Sequence, residues 1–259
     1  MERPVARLRA LAALPVPPIP PAAPLPPVLA AAFAALALAM AVLFVLGARF
    51  APVADNRPRD RRRATRAALG VAVLYLGASA ALAQAGLLSD VDARPPAVAF
   101  LLVALTSGMA ALAVSRLGDR LLAWPLGVLV GVQAFRIAVE ALLVAAYRAG
   151  TVPVEMTPAG VNFDIAAGVL AAGIGVWAAF GTVPRWAVAA WNGLGLVLLV
   201  VVVATAAASA FGVAETTPRL TLPTAWPGVW LPAWLVQLAF LGHLLVFRAL
   251  RRSRARAPR

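Results

Sequence analysis

Seven long apolar stretches dominate this chain and leave few ways in which it can fold. They cover residues 28–47, 67–88, 96–115, 121–147, 163–181, 186–212 and 229–249. Each is near or above the ~20 residues that an α-helix needs to cross ~30 Å of hydrocarbon. Their length and their lack of apolar–polar alternation argue against barrel strands. The sequence therefore predicts an all-α, polytopic membrane protein built as a bundle of about seven transmembrane helices.

The composition also indicates a membrane protein. The chain is 63% hydrophobic and 13% charged, whereas soluble domains are about 25% charged. Its net charge of +13 does not indicate a nucleic-acid partner, because the arginines lie between apolar stretches or in the tail and not on a soluble module. We predict three parts: a proline-rich, disordered tail (1–27), the transmembrane domain (28–250) and a basic cytoplasmic tail (251–259).

Arginine is distributed unequally between the two sides that alternating spans define. Sixteen arginines lie in the loops after spans one, three and five and in the C-terminal tail. The other side carries Arg3, Arg7, Arg9, Arg94, Arg148 and Arg219. Because cytoplasmic segments carry the excess of arginine, we predict an outer N-terminus and a cytoplasmic C-terminus. The cytoplasmic arginines are also expected to attract anionic lipid.

Several kinds of chemistry are excluded by residues that the chain lacks. It has no cysteine and no lysine, so disulfides, thiol catalysis, lysine Schiff bases and a P-loop cannot form. Its one histidine, His243, cannot by itself make a bis-histidine haem or a histidine-rich metal site. No HExxH or GxSxG motif is present. We therefore expect no cofactor and no metal, and an enzyme is the least favoured class.

The strongest candidate for a site lies in the fourth apolar stretch. Gln133, Arg136 and Glu140 are spaced i, i+3 and i+7, and Tyr147 extends the same helix face. A charged residue in hydrocarbon costs a few kcal/mol, so Arg136 and Glu140 should face a partner or a water-filled cavity. Two interpretations remain open: a structural ion pair between Arg136 and Glu140, or a site for an anion, a proton or a polar ligand.

The loop before the fifth stretch contributes further candidates. Asn162 is a good N-cap, and Asp164 in the first helical turn complements the helix dipole. Alternatively, Glu155, Asn162 and Asp164 surround the mouth of a cavity whose floor carries the polar residues of span four. Both interpretations place these three side chains on the outer side of the membrane.

Secondary polar residues lie in the last two stretches. Asn192 precedes Gly193 and Gly195, a pattern that favours close helix packing with an interhelical hydrogen bond. His243 has two interpretations: a packing residue whose polar atoms are hydrogen-bonded, or a proton shuttle. The second is possible because the reference pKa of histidine lies near neutrality. Gln237 is a third intramembrane polar candidate in this set.

Three segments carry a resemblance to a known family. They read QAFRIAVEALLVAAYRAGTVPVEMTPAGVNFDIAAG (133–168), WNGLGLVLLV (191–200) and VWLPAWLVQLAFLGHLLVFRAL (229–250). The chain resembles a family of bacterial multi-pass membrane proteins of unknown function. That resemblance implies a seven-span protein of the bacterial inner membrane and brings no activity, cofactor or substrate. The family has proline in the FRIxVE segment where this chain has Ala138, so a local kink is expected to be lost here.

Three classes of function fit these features. The most favoured is a sensor, scaffold or assembly subunit that binds a membrane protein or lipid partner. The alternative is a small transporter with an outward-opening polar site around Arg136 and Glu140. An intramembrane enzyme ranks last, because no nucleophile–base pair or metal set is visible in the sequence.

Overall fold

The computed structural model describes residues 22–54 and 56–255, with side chains described as far as Arg252. Residues 1–21 of the predicted proline-rich tail, Arg256 and Arg259 lie outside that part. The described residues form nine α-helices, three short 3-10 turns and one π-helical turn, and no β-strand. The helices are α1 (Pro27–Phe50), α2 (Pro58–Gln84), α3 (Ala97–Val114), α4 (Arg116–Leu121), α5 (Leu126–Gly131), α6 (Phe135–Arg148), α7 (Asp164–Phe180), α8 (Arg185–Ala210) and α9 (Val236–Ala255).

Six helical segments within the described ranges are long and apolar enough to cross a membrane. They are Pro27–Phe50, Pro58–Gln84, Ala97–Val114, Leu126–Arg148, Arg185–Ala210 and Leu231–Arg252. The predicted all-helical, multi-pass architecture is therefore confirmed. The fifth predicted stretch forms α7, an apolar helix of 17 residues, which is ~25 Å long at ~1.5 Å per residue.

The connecting segments define two ends of the bundle. We define the arginine-rich end as segments 51–54, 56–57, 115–125 and 181–184 with the end of α9, and the loop end as segments 85–96, 149–163 and 211–230. At the arginine-rich end, Arg248 and Arg252 both donate to Asp119 Oδ1, at 2.8 and 2.6 Å. The hydrogen bond from Arg248 holds the pKa of the Asp119 carboxyl below its usual value. These contacts fasten α4 to the C-terminal part of α9.

The last membrane segment is the centre of the bundle. In its apolar 18-residue stretch, 56% of the residues are buried, against 28–33% in the corresponding stretches of the other five segments. Trp234 is fully buried there, and its Nε1 donates to Ala37 O at 3.1 Å. Its ring meets Phe44 and Tyr75 edge-on, with centroids 5.6 and 5.9 Å apart. One indole thus joins α1 and α2 to the central segment.

Two stretches predicted to be continuous helices are interrupted. The fourth begins at Leu126 and not at 121, because Pro125 has no N–H and restricts the residue before it. It then passes through a 3-10 turn, Val132–Ala134, between α5 and α6. The seventh begins with a π-helical turn that contains Pro232. Gln237 Nε2 donates to Pro232 O at 3.1 Å, a side-chain bond to a carbonyl of the irregular turn.

The position of Trp234 generates a stability prediction. Trp234→Ala should lower the free energy of unfolding by about 3–5 kcal/mol, because it removes a fully packed aromatic side chain and leaves a cavity. Trp186→Ala is the matched control, since Trp186 is 72% exposed. Thermal unfolding in mild detergent measures both. Equal losses of stability in the two variants would contradict the central role of Trp234.

Candidate functional site

Arg136 is the centre of a buried polar network. It lies in the first turn of α6 and is 2% exposed. Its Nε donates to Asp164 Oδ2 at 2.6 Å, and its Nη2 donates to the other carboxylate oxygen, Oδ1. This two-point geometry is the strongest form of arginine–carboxylate pairing. It fastens α6 to the first residue of α7.

The remaining donors of Arg136 reach α8 and α9. Nη2 also donates to Gly195 O at 3.2 Å, and Nη1 lies 2.8 Å from His243 Nε2. A guanidinium group only donates hydrogen bonds, so His243 Nε2 must be the acceptor. The imidazole is then neutral, and its Nδ1–H donates to Asn192 Oδ1 at 3.0 Å. Trp191 stacks on the imidazole, with centroids 5.1 Å apart. His243 is thus fixed on both nitrogens and one face.

Asn162 connects the second carboxylate to the network. Its Nδ2 donates to Glu140 Oε2 at 2.8 Å and to Met156 O at 3.0 Å. Its Oδ1 accepts from the backbone N–H of Asp164 at 3.0 Å. The predicted N-cap role is wrong by one position, because Phe163 is the N-cap residue and makes no side-chain cap. Asn162 lies one residue before the N-cap and accepts from a backbone N–H of the first turn. Asp164 lies in the first turn, as predicted.

The i, i+4 ion pair between Arg136 and Glu140, one of the two interpretations of the sequence, is not the pair that forms. Arg136 binds Asp164, and Glu140 accepts from Asn162. Two physical reasons favour this exchange. An arginine that precedes its glutamate on a helix has the less favourable order, and Asp164 offers both carboxylate oxygens to the planar guanidinium.

Two glycines allow the helices to approach closely enough for these bonds. A Cβ atom at Gly168 would lie 3.0 Å from the backbone N of Ile137 and 3.2 Å from Arg136 Cβ. A Cβ atom at Gly195 would lie 2.6 Å from His243 Cε1, closer than any ordinary van der Waals contact. The close packing expected from Gly195 is therefore present, and it brings α8 against α9 beside the arginine.

A cavity of about 260 Å³ adjoins the network between α3, α6, α8 and α9. We name it the lateral cavity. Its charged lining residues are Arg136, Glu140 and Asp164, each at most 5% exposed, and the rest of its wall is almost entirely apolar. Val103 of α3 and Val203 of α8 also line it and are 67% and 42% exposed. The cavity therefore opens sideways between α3 and α8, towards the surface that faces lipid.

The loop end of the lateral cavity is covered. Leu220 and Leu222 line it from the 211–230 segment and are 1% and 4% exposed. Met156 lines it from the 149–163 segment and is 3% exposed. An opening through this end would require these buried side chains to move away from the apolar wall.

The other predicted candidates lie apart from this network. Gln133 lines a second cavity and not the lateral one, and Gln237 bonds to Pro232 O. Glu155 lies in a 3-10 turn, Val154–Met156, where its Oε2 is buried without a hydrogen-bond partner among the described residues. The structure thus brings together six of the nine candidates: Arg136, Glu140, Asn162, Asp164, Asn192 and His243.

Geometry is the basis for assigning a function to this region. Within residues 22–54 and 56–255, no three histidine, cysteine or acidic side chains are grouped so as to hold a metal ion. Comparisons of the chain with protein-family models, with curated proteins and with solved structures found no match. Since a helical bundle does not by itself define a function, the network and its cavity must be judged by their chemistry.

The Arg136–Asp164 pair generates a test by double substitution. Arg136→Met or Asp164→Leu alone should lower the free energy of unfolding by about 3–5 kcal/mol, because each leaves an uncompensated buried charge. The double variant should recover most of that loss, since an apolar pair of similar volume needs no charge compensation. Unfolding in mild detergent measures the three variants.

The exposed ion pair between Arg219 and Asp92, 2.8 Å long, is the matched control. Breaking it should have little effect on stability, because water and salt screen it. A double variant at Arg136 and Asp164 that is no more stable than either single variant would contradict a predominantly structural pair.

Proposed function

We propose that this chain is a seven-span membrane protein that binds a lipid chain within the bilayer and acts as a sensor or assembly subunit. The lateral cavity carries this proposal. It has apolar walls, a mouth between exposed valines of α3 and α8, and a covered loop end. A molecule already dissolved in the hydrocarbon can enter such a cavity without crossing a polar surface.

The occupant that best fits the lateral cavity is a single hydrocarbon chain of a bilayer lipid. The volume of the cavity, about 260 Å³, is close to the smallest volumes of ligand pockets, which start at ~300 Å³. A polar headgroup would find few hydrogen-bond donors inside. Four of the five N–H groups of Arg136 already have partners. The headgroup is therefore expected to remain at the mouth or at the membrane surface.

The same pairing weighs against the transporter alternative. One N–H group of Arg136 has no hydrogen-bond partner among the described residues, so an anion that binds Arg136 at more than one point must displace Asp164, His243 or Gly195 O. A displaced Asp164 would be a buried charge without its partner. Transport would also require the 211–230 segment to leave the loop end, where Leu220 and Leu222 are buried. A lipid-responsive subunit needs neither change.

The position of α7 is the basis for proposing seven spans, because its two ends lie towards opposite ends of the bundle. Its first residue, Asp164, belongs to the Arg136 network near the loop end. Just beyond its last residue, Arg185 Nη2 donates to Leu250 O at 2.5 Å, at the arginine-rich end. Seventeen residues lie at the lower limit for a membrane helix. With an outer loop end and a cytoplasmic arginine-rich end, the arrangement agrees with the bacterial inner-membrane family that the chain resembles.

Lipid binding is tested by filling the lateral cavity. Ala206→Phe places a ring into the wall of the cavity on α8. Native mass spectrometry of protein released from lipid nanodiscs should find about one retained phospholipid on the wild type. The variant should retain several-fold less, because the space for the chain is occupied.

Ala190→Phe is the matched control, since Ala190 lies on the same helix, is exposed and does not line the cavity. It should retain lipid as the wild type does. Equal retention in the wild type and in both variants would overturn lipid binding at this cavity.

The topology is tested with single cysteines, because the native chain has none. Ala159 and Thr182 are exposed residues just before and just after α7. On intact cells, a membrane-impermeant maleimide should label Ala159→Cys at once and Thr182→Cys only after permeabilisation. Val213→Cys, at an 82% exposed position of the loop end, is the positive control. Labelling of both flanking positions from one side would mean that α7 does not cross.

A further inference from the structure

A second cavity lies on the opposite side of Phe135 from the lateral cavity. Its volume is about 200 Å³, and it is enclosed by α1, α5, α9 and Trp124. Phe135 lines both cavities and separates them. We name this second space the Gln133 cavity, after the one strongly polar side chain in its wall. None of the residues that line it takes part in the hydrogen bonds of the Arg136 network.

Gln133 presents an unmatched amide to this space. The side chain is 2% exposed, and its Oε1 is buried without a hydrogen-bond partner among the described residues. In hydrocarbon such a carbonyl group is costly unless a donor reaches it. The wall around it supplies no donor: Trp124 Nε1, the indole group that lines the same cavity, already donates to Gly47 O at 2.9 Å.

Gly242 makes room for the amide inside the bundle. A Cβ atom at this position would overlap with Gln133 Nε2. The glycine therefore allows the side chain to lie against the backbone of α9, in the interior of the bundle. The 3-10 turn that contains Gln133 places it there, away from Arg136 on the following helix.

The Gln133 cavity is reached from the bilayer. Leu43 of α1, Val128 of α5 and Val132 all line it and are 43%, 42% and 38% exposed. Its occupant must therefore be a molecule that dissolves in hydrocarbon. It must also carry a hydrogen-bond donor, because no donor among the described residues reaches the amide oxygen of Gln133.

We propose that the Gln133 cavity binds a long-chain alcohol from the bilayer, with its hydroxyl group on the Gln133 amide. A hydroxyl group donates to Oε1 and has lone pairs that can accept from Nε2, so it can match both halves of an amide. Its chain fills the apolar remainder of the cavity. A plain hydrocarbon leaves the carbonyl unmatched, and an ether offers no donor.

The test uses a decanol that carries a photoreactive diazirine on its chain, with the full-length protein in lipid nanodiscs. Illumination should attach the label to cavity residues such as Trp124 and Leu241, as mapped by mass spectrometry. Unlabelled decanol should compete about fivefold to tenfold better than decyl methyl ether, which differs mainly in lacking the donor and so loses one hydrogen bond. This comparison requires no variant and does not depend on folding.

Two variants complete the test. Gln133→Leu should lower labelling about fivefold to tenfold, since the same hydrogen bond is lost. Gln237→Leu should leave it unchanged, because Gln237 is an equally buried amide with an unmatched Oε1 that lines neither cavity. Equal competition by the alcohol and the ether would overturn the proposal, as would undiminished labelling of a folded Gln133→Leu protein. Absence of label at the cavity residues would also overturn it and would mean that water alone meets the amide.

Discussion

The two-point ion pair between Arg136 and Asp164 holds a charged side chain in the interior of an apolar helical bundle. A guanidinium group within hydrocarbon needs a carboxylate and further acceptors, or its burial opposes folding. Asp164 supplies the carboxylate from α7, while Gly195 O and His243 Nε2 supply acceptors from α8 and α9. Four helices therefore meet at one side chain. The close approach of α7 to α6 and of α8 to α9 occurs at Gly168 and Gly195, where a Cβ atom would crowd the neighbouring helix.

Because four of the five N–H groups of Arg136 are committed inside the protein, the network leaves the neighbouring space almost entirely apolar. The lateral cavity ends at Arg136, Glu140 and Asp164, yet these groups present almost no polar surface to it. Its mouth faces lipid, and its loop end is covered by buried leucines. Both features favour a hydrocarbon ligand over an ion or a hydrophilic solute. The role that we propose, sensing or holding lipid, depends on the packing of α3 and α8 against the central segment and requires no movement of charge across the membrane.

The sequence predicts the helical membrane architecture well, because span length and hydropathy are local properties of the chain. It also identifies most members of the network as polar side chains in apolar stretches. The sequence does not predict which of these side chains bind one another. Asp164 is 28 residues from Arg136 and His243 is 107 residues away, whereas helical spacing favours the local partner Glu140. Gln133 shows a second limit: regular helix geometry places it beside Arg136, but the 3-10 turn at 132–134 turns it into a separate cavity. Such interruptions depend on tertiary packing, so spacing alone does not reveal them.

We propose that Arg136 is sealed in a structural network beside a cavity that holds a lipid chain. Electron cryomicroscopy of the protein in lipid nanodiscs, at a resolution that shows ordered water, tests it most directly. We expect elongated density between Val103 and Val203 that ends near Arg136, with the guanidinium still bound to Asp164. A chain of water molecules from the loop end to an Arg136 released from Asp164 would contradict it and would indicate a polar transport site.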